Sequence, residues 1–393
     1  MMWSRTFSLI LVLSSLLLSC SPKAEIDSAP VEAPPEDIAL AFKAVFAELL
    51  PDSHESLSIG VKPRKACQNV HSNYSSDNNI IEAIIETAKN HRLVIVNEAH
   101  NRASHRAFTL RLAEGLKNEG YRIFAAEAFN TPPGQHEIRQ DALHKRGHAL
   151  KGDGYYTDEA VFGQMVRQVL NSGYRPIYYE TESFLKDASR TQRIEARETA
   201  QAENLIKRAI EKYPNEKILV HVGFSHGKEL PDNHGNIWMG MRIKEQTGID
   251  PLTISQTACE GGVVSGSTRL KILENPSGLH TDEGYDMLVM HPHVEYENGR
   301  GTWLKDIDRK FVAVPKVLKH PTEWRYIAAH QLPYTPLESL SDIKLNSEQP
   351  VVYDSLLIGP GQKHYLALET GHYVVMSYDS GFKLQNTMRL RVK

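Results

Sequence analysis

The sequence predicts an α/β protein in which helices flank a mostly parallel sheet and a small antiparallel β module follows at the C-terminus. Short apolar runs alternate with stretches of helical periodicity between residues 78 and 222, which is the order of βαβ units and therefore of a parallel sheet. Each run is about five residues long and almost wholly apolar, as expected of a strand buried on both faces. Beyond residue 348, four β-like runs are separated by Gly or Asp turns, and this pattern predicts a separate module at 348–393.

The elements can be placed in order along the chain from apolar spacing and from residues that break helices. The expected helices are 38–50, 78–91, 103–119, 158–171 and 187–213, and Gly120, Gly173 and Pro214 mark where the last three end. The expected strands are 92–96, 122–126, 175–179 and 217–222. The segment 131–157 is polar and bears Gly and His, so we expect a loop or short helices over the site. The α/β domain is expected to cover 38–340.

The N-terminus is predicted to be an export signal rather than part of the fold. Arg5 precedes an apolar run at 7–18, and Ser19-Cys20 follows it; a basic start, a short hydrophobic region and a cleavage site are the parts of a signal peptide. The run is too short to span a membrane comfortably. The alternatives at this point are an ordinary signal and a lipoprotein signal.

Leu17-Leu18-Ser19-Cys20 resembles the bacterial lipobox. That resemblance implies a lipoprotein signal peptide at 1–19, lipidation of Cys20 and, because Ser21 follows, sorting to the outer membrane with the protein facing the periplasm. Residues 21–37 are rich in Pro, Ala and acids and cannot form a core, so 20–37 is expected to be a lipid anchor and flexible tether.

Composition narrows the classes of function. The 393 residues carry a formal net charge of −3, so no bulk field points to nucleic acid as a partner. Cys67 and Cys259 are the other cysteines, and in an oxidising compartment they form either one disulfide or two buried thiols. The absence of a Cys-x-x-Cys pair argues against a cysteine zinc site.

Each of the four apolar runs in the predicted sheet is followed by an acid or a histidine. Because ligands of open α/β sheets bind outside the carboxyl ends of the strands, these side chains should meet at one edge. The residues delivered in this way are Glu98 and His100, Glu127, Glu180, and His226. The sequence therefore predicts one polar site at this edge of the sheet.

The residue types suit acid–base chemistry. Glu98 and His100 are two apart and can share a site at a strand end, where a carboxylate fixes the tautomer of an imidazole and raises its basicity. A second carboxylate, Glu127, suits acid–base work or metal ligation, with a salt bridge to a nearby Arg as the simpler alternative. His105 follows at the start of the next helix, either facing the same edge or lying in solvent.

The segment Gly223-Phe224-Ser225-His226-Gly227 supports two interpretations. It fits the G-x-S-x-G elbow, which would make Ser225 a nucleophile. That motif requires a helix directly after the serine, whereas Pro231 breaks a helix early here. The favoured interpretation takes His226 as the functional group and Gly223 as the residue that permits a close backbone approach.

Other histidines offer weaker signals. His144 and His148 lie four apart and could pair as metal or haem ligands on a helix, although their basic neighbours favour a solvated face. His291-Pro292-His293 is better interpreted as a strand end or loop.

These motifs resemble those of the superfamily of erythromycin esterase-like, ChaN-like and TraB/Tiki proteins, over roughly residues 90–230. The similarity lies in Glu98-Ala99-His100, in Glu127 at the second strand end and in Gly223-Phe224-Ser225-His226. Arg197-Glu198 and Asn204, just before the last strand, resemble the esterase-like arrangement. Asn97 stands where the family has glycine, and Gly223 stands where the esterase motif has its first histidine.

The resulting expectation is a periplasm-facing lipoprotein hydrolase that activates water against an ester or amide in a small molecule or peptide. Glu98, His100, Glu127 and His226 are the expected catalytic residues, and His105, Glu180 and Arg197 the expected substrate-binding residues. The Tiki resemblance implies that a divalent metal could be held by the four catalytic residues. The ChaN resemblance implies the alternative, a haem- or iron-binding protein with ligands from Tyr155, Tyr156, His144 and His148. A serine hydrolase using Ser225 is the second alternative.

Overall fold

The computed structural model describes residues 77–182, 185–257, 270–274, 284–292, 294–334 and 349–393. The predictions for the signal peptide, Cys20, the tether, the helix at 38–50, Cys67, Cys259 and His293 lie outside these residues. Within the described part of the chain, no helix is both long enough and apolar enough to cross a membrane.

The core of the protein is a seven-stranded sheet with the strand order β3-β2-β4-β1-β5-β7-β6. Its strands are β1 (Leu93–Glu98), β2 (Tyr121–Ala126), β3 (Arg175–Ile177), β4 (Lys217–Gly223), β5 (Leu252–Ser255), β6 (Lys271–Glu274) and β7 (Met287–Met290). Six strands run parallel, and only the edge strand β6 is antiparallel to its neighbour. The predicted α/β fold with a mostly parallel sheet is confirmed.

Helices cover both faces of this sheet. They are α1 (Asp77–Ala88), α2 (Ala103–Asn118), α3 (His136–Arg146), α4 (Ala160–Asn171), α5 (Arg190–Leu205) and α6 (Met239–Thr247). Alternate residues of each strand enter different apolar clusters: Val94 and Val96 pack with α1, α2 and α4, whereas Leu93 and Ile95 pack with α5 and α6. This alternation explains why the strands are apolar throughout, since both of their faces are buried.

Two elements end earlier than the sequence predicts. Strand β3 stops at Ile177, because the side chains of Arg208 and Asn204 bond the carbonyls of Tyr178 and Tyr179 in place of a neighbouring strand. The α-helix expected at 187–213 ends at Leu205 and continues as a π-helical segment, Ile206–Glu211.

The C-terminal β module is larger than the sequence predicts. After the seven strands of the central sheet, the structure describes β8 (Tyr296–Glu297), β9 (Arg300–Gly301), β10 (Lys310–Ala313), β11 (Arg325–Gln331), β12 (Asp354–Ile358), β13 (Tyr365–Leu368), β14 (Gly371–Tyr378) and β15 (Leu384–Val392). An antiparallel sheet of order β12-β11-β14-β15 forms its main part, and β10 pairs with β13. Strands β10 and β11, which belong to these antiparallel sheets, precede residue 340, the predicted end of the α/β domain.

The strand register brings the predicted site residues together. Glu98 pairs with Gly223 across β1 and β4, and Ala126, the residue before Glu127, pairs with His221 across β2 and β4. The two glutamates and the turn after β4 therefore begin at the same level of the sheet edge.

The segment 131–157 lies against this edge, as predicted, and contains α3 and a 3₁₀ turn at Lys151–Asp153. Gly154 fixes its end to the residues after β2. The amide of Tyr155 donates to the carbonyl of Ala128 at 2.8 Å, and a Cβ on Gly154 would lie 1.8 Å from that same oxygen. Only glycine therefore allows the chain to pass this close, and the contact sets the position of the two tyrosines that follow.

Replacing Gly154 by Ala should lower the free energy of unfolding by about 1–3 kcal/mol, the usual cost of overpacking a tight contact. The added methyl group meets backbone atoms, which have no rotamer through which to yield. Urea unfolding measures the difference. Gly371→Ala is the control, since its Cβ would lie 3.4 Å from the nearest atom. Equal stability of the two variants would contradict this assignment.

Candidate functional site

A cavity of about 310 Å³ opens at the carboxyl ends of β1, β2 and β4. Its lining combines acids, bases and aromatic rings: Glu98, His100, Glu127, Ala128, Tyr155, Tyr156, Arg197, His221, Val222 and Gly223. Its volume is at the lower end of the range for small-molecule sites, roughly 300–1,000 Å³. It is at the edge where ligands of α/β sheets bind.

Glu98 and His100 form a carboxylate–imidazole pair in this cavity. Oε1 of Glu98 lies 3.0 Å from Nδ1 of His100. A carboxylate accepts hydrogen bonds, so Nδ1 carries a proton and donates it, which leaves Nε2 as the basic nitrogen of the neutral ring. Among the described residues, Nε2 of His100 has no hydrogen-bond partner.

A buried arginine keeps Glu98 charged. Arg106, on α2, binds both oxygens of Glu98, with Nε 2.7 Å from Oε2 and Nη2 2.9 Å from Oε1. His221 adds a contact of 3.0 Å from Nε2 to Oε2. Burial by itself would raise the pKa of Glu98, but Arg106 and His221 hold the pKa well below its usual value. The carboxylate is therefore ionised when it orients His100.

The absence of a side chain at Gly223 allows His100 to take its place. A Cβ on Gly223 would lie 2.6 Å from Nε2 of His100 and 3.0 Å from Oε2 of Glu127. The imidazole and the second carboxylate therefore flank the same small space above the strand end. The predicted close backbone approach at Gly223 is confirmed.

Glu127 is held by backbone and side chains together. Its Oε2 accepts the amide N–H of Gly223 at 2.5 Å, and its Oε1 accepts Nη2 of Arg197 at 2.5 Å. Nε2 of His226 lies 3.2 Å from the same Oε1. Burial opposes the charge on Glu127, yet His226 and Arg197 lower its pKa strongly. The salt bridge to an arginine that the sequence offered as an alternative is thus present, within the site.

Arg197 links two of the strand-end acids. On α5, it donates from Nη2 to Glu127 and also to Oε2 of Glu180 at 2.5 Å, and its Nε lies 3.2 Å from Oε1 of Glu180. Glu180 is buried and accepts a further bond from Gln201. Glu180 therefore positions Arg197 and is not part of the cavity lining.

His226 lies behind Glu127, and its environment favours the charged form. Its Nδ1 is 2.7 Å from Oε1 of Glu198, and Nε2 faces Glu127. Burial lowers the pKa of His226, but the two carboxylates outweigh it and raise the pKa to about 10. Nη1 of Arg197 also approaches Nε2 of His226, at 3.3 Å.

Two tyrosines line the mouth of the cavity, and Phe224 lies beside it against His100. Tyr155, Tyr156 and Phe224 are 52%, 44% and 47% exposed. The ring of Tyr156 stacks on His100 at 4.4 Å, and Phe224 meets His100 edge-on at 5.1 Å. These contacts confine the imidazole on two sides.

The structure places other predicted residues away from this cavity. His105 does not face it: its Nδ1 accepts the amide N–H of Ala99 at 3.0 Å and its ring is buried against His291. The expectation that His105 binds substrate is therefore not supported, because this nitrogen is already engaged. No helix begins at Ser225, and the next helix starts at Met239. The elbow needed for a serine nucleophile is absent from this described segment.

The four proposed haem ligands do not converge. Tyr155 and Tyr156 border the cavity, whereas His144 borders a different depression, which contains Arg175 and Lys212. His148 donates from Nδ1 to the carbonyl of Arg146 and packs against Tyr334.

The acids of the site also do not fit a divalent metal. Within the described residues, no group of three or more His, Cys, Asp or Glu side chains is arranged to hold a metal ion. The physical reason is that Arg106 and Arg197 bind the oxygens of Glu98 and Glu127 that a metal would need.

Three residues of the network were missed by the sequence analysis. Arg106 stands on the buried face of α2 among apolar residues, which is a recognisable signal, since a buried charge needs a partner. His221 interrupts the apolar run of β4. Glu159 caps α4 by accepting the amides of Val161 and Phe162 and also binds Nη1 of Arg106 at 2.9 Å.

Fold and site define an α/β protein with a charged, partly buried pocket at the sheet edge. No protein-family model matches the chain, and comparison with curated proteins gives no match. Among solved structures, the type III effector HopBA1 is similar over 58% of this chain and 99% of its own, at 14% identity and a TM-score of 0.40. ChaN of Campylobacter jejuni, described with cofacial haem binding, is similar over 55% of this chain and 94% of its own, at 11% identity and a TM-score of 0.34. RRSP, a MARTX toxin effector domain from Vibrio vulnificus, is similar over 56% of this chain and 44% of its own, at 11% identity and a TM-score of 0.33. Likeness at this level carries no statement about activity.

His226 should stay protonated through neutral pH. Its folded-state pKa of about 10 lies above the unfolded value of about 6.5, so its charge stabilises the fold fully below about pH 6.5 and progressively less as pH rises through 10. Nitrogen chemical shifts of labelled histidine should report a charged ring at pH 8. His226→Gln should cost more stability at pH 6 than at pH 10, with His234→Gln, an exposed position, as control. A ring that titrates near pH 6.5 would contradict the assignment.

Proposed function

We propose that this protein is a hydrolase in which His100 activates water against an ester or amide. The observation that carries the proposal is the state of His100: Nδ1 is occupied by Glu98 at 3.0 Å, whereas Nε2 faces the space shared with Glu127 and has no partner in the described chain. A base needs an open lone pair, a fixed ring and access to substrate, and His100 meets all three conditions.

The reaction would begin with a water held between His100 and Glu127. Nε2 of His100 takes one proton, and the oxygen adds to the carbonyl carbon of the substrate. The ionised Glu98 stabilises the imidazolium that forms. Collapse of the tetrahedral intermediate breaks the bond to the leaving group, which receives the proton back from His100.

Arg197 supplies the donors that this reaction requires. The negative charge that develops on the carbonyl oxygen needs an oriented cation or N–H group. Nη1 of Arg197 is suited to this role, because Glu127 and Glu180 fix the guanidinium through its Nη2 and Nε. Glu127 would orient the water, and His226, set behind Glu127, would position that carboxylate rather than protonate the leaving group.

Haem binding is the second candidate. The specific observation in its favour is that Tyr155 and Tyr156 are exposed at the cavity mouth, and tyrosine can ligate haem iron. Against it, His144 and His148 lie elsewhere, and the cavity floor is a network of ion pairs. A titration with haem followed at the Soret band separates the candidates: stoichiometric binding lost in Tyr155→Phe and Tyr156→Phe, with no ester turnover, would favour haem.

His100→Gln should lower kcat/KM by about 10²- to 10⁴-fold, the usual contribution of a general base. A panel of p-nitrophenyl esters and acyl p-nitroanilides measures this. Ser225→Ala is the matched control and should retain most activity, since Ser225 lies in a turn with no elbow helix. A His100→Gln variant with full activity would refute the mechanism. Loss in Ser225→Ala together with labelling by a serine-directed phosphonate would favour the serine alternative.

We propose further that the protein is anchored in the bacterial outer membrane and faces the periplasm. The support is the lipobox-like Leu17 to Cys20 and the Pro- and acid-rich residues behind it.

Replacing Cys20 by Ala should move the protein from the membrane fraction to the soluble periplasmic fraction, because the variant has no thiol to carry a lipid. Fractionation with immunodetection measures the shift. A variant that stays fully in the membrane fraction would contradict the anchor.

A further inference from the structure

We infer that the substrates of this site carry a positively charged ammonium group next to the scissile bond. The inference rests on the proposed function for its kinetic consequence and on the walls of the cavity for its chemistry. Two independent features carry it, the charge balance of the site and the aromatic rim.

The charge balance is negative. The network contains five carboxylates, those of Glu98, Glu127, Glu159, Glu180 and Glu198. Their cationic partners are two guanidiniums, Arg106 and Arg197, and the imidazolium of His226; counting His221, which contacts Glu98, as a fourth cation still leaves one negative charge in excess. A neutral His226 would only enlarge the excess of negative charge. Electrostatic interactions are strong in a cavity with low-dielectric walls. The excess negative charge therefore attracts cationic ligands and repels anionic ones.

The rim is aromatic, exposed and held in a strained conformation. Tyr156 and Phe224 have backbone φ angles of +59° and +36°, a region that is unfavourable for a bulky residue. Such strain persists only where the surroundings impose it.

The surroundings of Phe224 do impose it. Its amide donates to the carbonyl of Glu98 at 2.8 Å, and its own carbonyl accepts Nδ2 of Asn97 at 2.5 Å and the hydroxyl of Tyr285 at 2.7 Å. Three hydrogen bonds thus fix the backbone of Phe224 and hold its partly exposed ring against His100.

Aromatic rings beside an excess of negative charge are the chemistry that recognises ammonium ions. The faces of Tyr and Phe rings attract a cation within about 6 Å, and Tyr155, which is not stacked on His100, is the ring with the most exposed surface. A cationic head group at the rim would leave the adjacent carbonyl free to reach His100 and Arg197.

The test uses choline and 3,3-dimethylbutanol, which have the same shape and differ in charge, and neither of which can be hydrolysed. Calorimetry on the full chain should show choline binding about ten-fold more tightly, which corresponds to about 1.4 kcal/mol and lies within the range of cation–π contacts. Tyr155→Leu should abolish this preference, whereas Tyr155→Phe, which keeps the ring, should preserve it. Equal or tighter binding of the neutral alcohol, or tighter binding of succinate than of choline, would overturn the inference.

The corresponding esters separate this inference from the proposed function. Acetylcholine should have a kcat/KM about ten-fold above that of 3,3-dimethylbutyl acetate, and His100→Gln should abolish both activities while leaving choline binding in place. Selective choline binding without turnover of either ester would support the cation site and refute the hydrolase. Turnover of both esters at equal rates would support the hydrolase and refute the cation preference.

Discussion

The ion pair between Arg106 and Glu98 is the interaction on which the site depends. Arg106 is wholly buried and Glu98 almost so, and two charges removed from water are stable only when each is well paired and hydrogen-bonded. Here both oxygens of Glu98 and all three nitrogens of the guanidinium are engaged. Because the pair fixes the carboxylate, the carboxylate can fix the imidazole of His100. Loss of Arg106 would leave an uncompensated buried charge. Through Glu98 and Glu159, Arg106 joins α2 to the end of β1 and to the start of α4. The same ion pair fixes the carboxylate that orients His100.

The second half of the site is also held by an arginine–carboxylate ion pair, but here the arginine is the more exposed partner. Arg197 is partly exposed, while its acids Glu127 and Glu180 are buried. The guanidinium therefore contacts the carboxylates from their more exposed side, and Arg197 lines the cavity. His226 lies between Glu127 and Glu198 and contacts both carboxylates. The two halves meet at Gly223, whose amide binds Glu127 and whose missing side chain makes room for His100. They also meet at His221, whose ring contacts Glu98 and whose carbonyl accepts the amide N–H of Glu127.

The sequence predicts the strand-end residues because polarity returns abruptly after an apolar run, and the fold class because those runs alternate with helices. Arg106 and His221 interrupt apolar faces, which indicates that each needs a buried partner, but the sequence alone does not show which residue that partner is. His105 was misplaced because nearness in sequence does not show which way a helix-start side chain points. Strand β11 could not be assigned to a sheet from the sequence, because its antiparallel partners β12 and β14 lie beyond a long intervening segment.

The pairing of Glu98 with Gly223 across β1 and β4 ties the chemistry to the cooperativity of the whole domain. Glu98 and Gly223 are more than a hundred residues apart in the chain, and they meet only when the central parallel strands are in register. A slip by one residue would bring Val222 or Phe224 beside Glu98, reverse the faces of the strand and place a side chain where His100 stands. No local fragment of the chain can hold the pocket by itself. The intact pocket therefore requires that the central strands pair in the correct register.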